Sequence, residues 1–455
     1  MTGTARPRPA VPKAAPMRPP QWEVHAPPSG PRTMLTHLPL CGMTAARLVL
    51  GFGPADDPPG LEGVSRMLVE AMALAPAGRE PDAFAEDLAR AGATLTPECL
   101  HDGAALTLTA PAEWFADAFR MVVDVAERPA LTGEGVAQTI ERRRSEIAHE
   151  RRRADVQAMQ AFLRAGYGTD TAFGRPSGGT LASLDRIDRS AVRDHHTRRL
   201  GPGNATLLLA GDLSGTAGAR TRRLVAETMD AWRPRTGTTA RTAEPAPAGD
   251  GGTAVVDVGE TAQAALVLGR IIPALPPEQA AALDVAVHAL GGWFGSRLNT
   301  LLRESKGLTY GTAAATASRR VPEGRVCRAH IETAVERSMA AAAAATALAE
   351  IERCARDGLT ETDVRAAADH LVRSRLLGTQ TARQVVERYG RAAQRGHDPE
   401  SLDRHAELIL AADTAAVSGA LADHLGPDRL VLVAAGEAAA LEAVWPRPYP
   451  VQKQE

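Results

Sequence analysis

SAVRDHHTRRLGPGNATLLLAGD, residues 190–212, and AAVSGALADHLGPDRLVLVAAGE, residues 415–437, carry one pattern: a helix, a Leu-Gly-Pro turn, then an apolar β-run closed by glycine and an acid. Val192 pairs with Val417, Leu200 with Leu425 and Gly211 with Gly436, always at the same offset (436 − 211 = 225). Upstream, LTGEGVAQTIERRRSE from Leu131 and LTETDVRAAADHLVRS from Leu359 share a Leu-Thr helix start (359 − 131 = 228). Internal similarity at so long a period points to a duplication, and a unit of about 220 residues is too long for a solenoid repeat.

Outward from these segments the two copies stay parallel. A β-run, ARLVLGF at 46–52 or QAALVLGRII at 263–272, precedes a helical stretch. An alternating strand follows, AALTLTAP at 104–111 or RVCRAHIET at 325–333, and then long amphipathic helices. Strands grouped with long helices, without strict βαβ alternation, predict an α+β fold: duplicated two-layer units, each a mostly antiparallel sheet with helices on one face. The boundaries read as a Pro/Arg-rich tail over 1–22, a first unit over 23–232, a linker over 233–252, a second unit over 253–445 and a tail over 446–455. The linker, RPRTGTTARTAEPAPAGDGG, has turn-forming composition and no apolar period.

Composition narrows the function classes. The 455 residues are 44% hydrophobic and 23% charged, enough to bury several cores. Lysine and arginine total 52 against 54 acids, a net charge of -2 that advertises neither nucleic acid nor an anionic membrane. Cys41, Cys99, Cys327 and Cys354 are far apart and form no CxxC, so neither a disulfide framework nor a zinc ribbon is expected. The N-terminal stretch lacks an apolar core and a cleavage site, and no apolar run reaches membrane-spanning length, so a cytosolic location without membrane contact is expected.

The sequence has no GxxxxGK[ST], no GxGxxG after a strand and no GxSxG. It also has neither HExxH nor HxxEH: four residues after His149 stands Arg153, and the neighbours His195 and His196 point about 100° apart on a helix. One segment is far more specific. From Gly291 the chain reads GGWFGSRLNTLLRESKGLTYGTA, with Arg303, Glu304, Gly307, Leu308 and Tyr310 spelling R-E-x-x-G-L-x-Y after a Gly-rich turn. This closely resembles the second-half signature of the pitrilysin/insulinase family of metallopeptidases. The resemblance extends to PPGLEGVSRMLVEAM at 58–72, in the place of the family's catalytic helix, to ERRRSEIAHERRRAD from Glu141, and to the region from Ala165.

The resemblance implies a duplicated α+β chain forming half of a clamshell, and an inverted zinc motif H-x-x-E-H with a third ligand on a later helix. Here that motif is broken. Read without a gap, its three positions fall on Arg66, Val69 and Glu70; slipped by one, on Met67, Glu70 and Ala71, the register preferred because it keeps Glu70 and Met72 in place. Glu150 stands at the distal ligand position (150 − 70 = 80), where a salt bridge to Arg66 or a neighbouring arginine is expected instead of metal. Arg303 and Tyr310 correspond to the family's substrate-holding, carbonyl-polarising pair, which suits a guanidinium and a phenol as donors to an oxyanion. Gly291, Gly292 and Gly295 read either as a turn before the helix or as a loop admitting substrate peptide. AALTLTAP reads as ordinary sheet, with a peptide-pairing edge as the alternative.

The expectation is therefore a metal-free subunit of a heterodimeric peptidase acting on peptides or precursors, including leader peptides. Its partner would be a family member with intact H-x-x-E-H, and zinc would sit in that partner. A non-enzymatic peptide-binding or assembly scaffold is the alternative, followed by a hydrolase with a metal site rebuilt around His149, Glu150, His195 and His196.

Overall fold

The computed structural model of the chain describes residues 14, 20–27, 31–101, 103–169, 171–232, 251–273, 275–321, 324–444 and 451–452. Most of the tails over 1–22 and 446–455 and of the linker over 233–252 lies outside the described residues.

The first copy contains β1 Trp22–His25, β2 Arg32–His37, β3 Met43–Leu50, α1 Val64–Met72, α2 Pro81–Arg90, β4 Thr94–Leu100 and β5 Gly103–Pro111. It continues with α3 Phe115–Glu127, α4 Gly133–Glu150, α5 Ala154–Tyr167, α6 Leu181–Leu184, α7 Arg189–Arg199, β6 Ala205–Gly211 and α8 Gly215–Ala231. The second contains β7 Gly252–Asp257, β8 Gln263–Ile272, α9 Pro277–Gly291, a π-helix Asn299–Ser305, β9 Thr309–Val321 and β10 Gly324–Glu336. After these come α10 Ala340–Asp357, α11 Glu361–Ser374, α12 Ala382–Gln394, α13 Pro399–Ala411, α14 Thr414–Leu425, β11 Val431–Gly436, α15 Ala438–Val444 and β12 Val451–Gln452.

Two six-stranded sheets result, ordered β1-β2-β6-β3-β5-β4 and β12-β7-β11-β8-β10-β9. Five strands match one for one between them, and the sixth comes from opposite ends of the chain. β2–β6, β7–β11 and β7–β12 are parallel; the other pairings are antiparallel, so the α+β expectation holds. The repeated helix starts have a common cause. Thr132 and Thr360 cap α4 and α11 by accepting N–H bonds from Gly135 and Asp363, and Asp188 and Asp413 cap α7 and α14 in the same way. Among the described residues no single helix is long and apolar enough to cross a membrane.

Helices of each copy cover one face of its own sheet, as expected, but the opposite face is not open. It is covered by one helix from the other copy. α5 of the first copy lies on β8 and β11, where Ala158, Phe162 and Tyr167 pack with Val256, Val267 and Val433. α12 of the second lies on β3 and β6, where Val385, Val386 and Tyr389 pack with Met34, Val49 and Leu208. The exchange explains why β6 is apolar from Leu207 to Ala210: Leu207 and Leu209 face its own helices while Leu208 and Ala210 face α12. Burying a side chain such as Phe162 contributes roughly 2–3 kcal/mol, so each exchanged helix ties the halves together strongly.

A polar clamp adds to the seam beneath α12. Glu98 of β4 accepts hydrogen bonds from Arg47 of β3 and from Arg391 of α12. Arg47, only 1% exposed, also donates to Thr107 at 2.8 Å. A Cβ on Gly390 would lie 2.5 Å from the Arg47 Cδ, so α12 can cross this arginine only as glycine. AALTLTAP lies within β5, between β3 and β4, so it is ordinary sheet with no free edge for a peptide.

Candidate functional site

α9 ends at Gly291, and the three glycines that follow from there are set by packing. None has a left-handed φ. A Cβ would lie 3.0 Å from the Ala314 Cβ at Gly291, 2.1 Å from the His288 Nδ1 at Gly292 and 2.6 Å from the Trp293 ring at Gly295. His288 Nε2 and His370 Nδ1 share a hydrogen bond of 2.9 Å, and the His370 ring stacks on Trp293 at 5.1 Å. The turn is thus a closely packed joint against α11 and β9.

Beyond it the backbone widens into the π-helix that carries Arg303, a local form often found at functional sites. Arg297 anchors the approach by donating to Glu350 of α10 at 2.6 Å and to Asp363 of α11 at 2.8 Å. Burial would raise the Glu350 pKa, but Arg353 and Arg297 outweigh it and hold the carboxyl at about 2. Asn299 pins the exit: its amide donates to the carbonyls of Trp293 at 2.9 Å and Thr312 at 3.1 Å, and its oxygen accepts from the Thr312 N–H at 2.8 Å. Asn299 escaped the sequence reading, although a buried amide between a turn and a strand is a common positioning device.

Gly307, with φ of +62°, ends the helical run as expected, and Tyr310 emerges at the start of β9. The Arg303 guanidinium lies 4.4 Å from the centre of the Phe294 ring and 3.5 Å from Glu304. Phe294 is 66% and Tyr310 is 89% exposed, so neither fills a core. The Tyr310 hydroxyl has no hydrogen-bond partner among the described residues. What this edge presents to solvent is a cation on an aromatic platform and a phenol, both hydrogen-bond donors.

In the first copy, α1 turns positions of both motif registers into the core. Met67 and Ala71 of the preferred slipped register are buried there, and so is Val69 of the ungapped one. Arg66 and Glu70 instead face α4. Arg66 donates to Glu70 at 2.8 Å and Glu146 at 2.6 Å, and Arg142 donates to Glu70 at 2.8 Å. Arg143 donates to both oxygens of Glu150, at 2.7 and 2.9 Å, to Glu146 at 3.1 Å and to the Gly178 carbonyl at 3.0 Å. Glu150 is therefore in a salt bridge, with Arg143 as its partner. Zinc does not fit here: the carboxylates are already taken by guanidinium groups, and imidazole and thiolate donors are missing from the set. Among the described residues no group of three or more His, Cys, Asp or Glu could hold a metal ion.

A buried polar pair underlies α1. Asp57 accepts N–H bonds from Gly63 at 2.7 Å and Ser65 at 3.0 Å, satisfying first-turn amides of the helix. The Ser65 hydroxyl donates to the Gly53 carbonyl at 3.0 Å and meets His195 Nε2 at 2.9 Å, with Asp57 4.0 Å from that nitrogen. The Ser65 hydroxyl thus has the Gly53 carbonyl, the Asp57 carboxyl and His195 Nε2 as partners in one buried polar network. Burial pushes Asp57 up to about 7, against hydrogen bonds from Ser65 and Gly63, and pushes His195 down to about 3 with help from Arg199 and Arg198. His196 meets the Ala126 carbonyl at 2.9 Å, whereas His149 is exposed on α4. The histidines considered for a rebuilt metal site are thus held apart.

Residues 186–371 match the family described as Peptidase M16 inactive domain. An uncharacterized zinc protease of Mycobacterium leprae is 25% identical over 300 residues, covering 63% of this chain and 64% of that protein's length. Among solved structures, a peptidase M16 inactive domain from Pseudomonas fluorescens matches with a TM-score of 0.81 at 20% identity, covering 94% of this chain and 100% of that one. A protease from Helicobacter pylori matches with a TM-score of 0.81 at 14% identity, covering 91% and 99%. A putative M16-like peptidase from Alicyclobacillus acidocaldarius has a TM-score of 0.78 at 16% identity, covering 92% and 99%. Residues 186–371 thus match the model of the M16 inactive domain, the chain has the fold of the M16-like structures it matches, and its second-half motif resembles the pitrilysin/insulinase family.

Proposed function

We propose that this chain is the metal-free subunit of a two-chain zinc peptidase and supplies Arg303 and Tyr310 to a zinc site carried by a partner with an intact H-x-x-E-H motif. The observation that carries the reading is the Tyr310 hydroxyl, 89% exposed and without a hydrogen-bond partner among the described residues, in the same motif as an Arg303 that there meets Glu304 and the Phe294 ring. Protein folding does not need such an arrangement, whereas a substrate carbonyl does. In the assembled enzyme the two donors would hold the peptide backbone and stabilise negative charge developing on the scissile oxygen. The packed Gly291–Gly295 turn would fix the platform from which they reach. Substrates would be peptides or precursor segments, leader peptides among them.

The test is reconstitution with an H-x-x-E-H relative and cleavage of a quenched fluorescent peptide. The combined Arg303→Ala and Tyr310→Phe change should leave association and folding intact, because surface substitutions move stability by about 0.5 kcal/mol or less. It should lower kcat by about 10²-fold or more, the cost of losing an oxyanion donor. Undiminished activity would reduce the chain to an assembly scaffold.

A further inference from the structure

A cavity of about 630 Å³ lies between α4, α5, the loop before α6 and Val256 of β7. Gln157, Gln160 and Arg164 line it from one stripe of α5, at i, i+3 and i+7. Arg143 and Glu150 also border it, but they satisfy each other through paired hydrogen bonds. Arg164 is different. Half-buried, it forms no ion pair or side-chain hydrogen bond among the described residues, and its Nε is sealed from solvent without a partner. Burial alone pushes its guanidinium pKa down, with no carboxylate near enough to oppose it.

We propose that this cavity binds a carboxylate of a peptide, held by Arg164 with the Gln160 amide as second donor. A guanidinium presents a planar fork that matches a carboxylate in two bonds, and an unpaired cation in a cavity is an anion site waiting for its ligand. Ile147, Leu181 and Val256 add apolar wall, which suits an organic acid better than an inorganic ion. The ligand class rests on the peptide-binding reading above; the site itself does not.

The experiment measures fluorescence anisotropy of labelled short peptides with the full chain and no partner. The probes are an alanine/leucine peptide with a free C-terminal carboxylate, its C-terminal amide, and that amide with one internal glutamate or glutamine. The free-acid peptide, or the glutamate peptide if a side chain is the source, should bind about 10-fold or more tighter than its neutral counterpart, as expected for a hydrogen bond to a charged group. Arg164→Gln should remove that preference and Arg164→Lys should restore part of it. Equal binding of acid and neutral probes, or a preference that survives Arg164→Gln, overturns the proposal; so does competitive displacement by millimolar inorganic phosphate. The Arg164→Gln chain should melt no lower than the natural one, since it loses a desolvated charge without a partner. A lower Tm would show that Arg164 serves the fold. No acid preference in the natural chain, with partner-dependent cleavage intact, would sink this inference alone.

Discussion

The buried Asp57–His195 pair makes a sharp prediction about pH, because its two shifts oppose each other. The folded pKa of Asp57 is raised from 3.8 to about 7, so its stabilisation is complete below 3.8 and is lost as pH rises toward 7. That of His195 is lowered from 6.5 to about 3, so its stabilisation is complete above 6.5 and is lost as pH falls toward 3. Between about pH 4 and 6.5 the folded pair binds one proton and so does the unfolded chain, which carries it on His195. The pair's contribution is therefore flat in that window, and this holds whichever member carries the shared proton. Asp57→Asn removes one side of the balance. His195 then costs about 1.4 kcal/mol for each pH unit below 6.5, or about 3 kcal/mol by pH 4.5. His195→Gln should tilt the opposite way, losing stability as pH rises from about 4 to 7. Urea denaturation across this range, read as the slope of each variant relative to the natural chain, cancels every other titrating group. Slopes of both variants parallel to the natural chain would refute the reasoning.

Glu98→Ala should destabilise the fold by about 3 kcal/mol, because Arg47 is left buried with only the Thr107 hydroxyl for its charge. Chemical denaturation checks this, and combining Arg47→Met with Glu98→Leu should recover most of the loss; a cost below about 1 kcal/mol for Glu98→Ala alone would show that water reaches Arg47. Gly63→Ala should cost about 2–3 kcal/mol, since its φ is +96° and a Cβ would lie 2.8 Å from the Gly178 carbonyl oxygen. A thermal melt reads that loss, and an unchanged Tm would mean that the 178–179 loop yields freely.

Much of the architecture was legible because duplication compares the chain with itself. The Leu-Thr helix starts repeat as working N-caps, and the apolar runs at 46–50, 205–211, 263–272 and 431–436 lie in strands at matching places in the two sheets. The exchange of α5 and α12 was not legible. Amphipathicity tells that a helix has an apolar face but not which sheet that face will meet. Matching letters does not fix the register of α1, and burial does not either, because Met67 and Ala71 of the slipped reading and Val69 of the ungapped one all turn inward. Arg303 and Tyr310 stand out as candidates because a motif of five residues at fixed spacing is specific. Asn299 and Arg164 were missed because a lone amide or guanidinium has no signature until its neighbours, or their absence, are known.

The seam between α1 and α4 argues that this chain is not one or two substitutions from a zinc enzyme. Arg66, Arg142 and Arg143 balance Glu70, Glu146 and Glu150, so three cations and three anions join the two helices without a metal. Placing histidines at 66 and 70 would remove one cation and one anion from that balance and leave Arg143 still occupying Glu146 and Glu150. The catalytic glutamate of the ungapped motif would fall on Val69, which is 0% exposed. A carboxylate there would be buried in the first hydrophobic core, at a cost of several kcal/mol or the loss of its charge. The ion-pair network of Arg66, Arg142 and Arg143 with the three glutamates therefore holds the α1–α4 contact together without a metal.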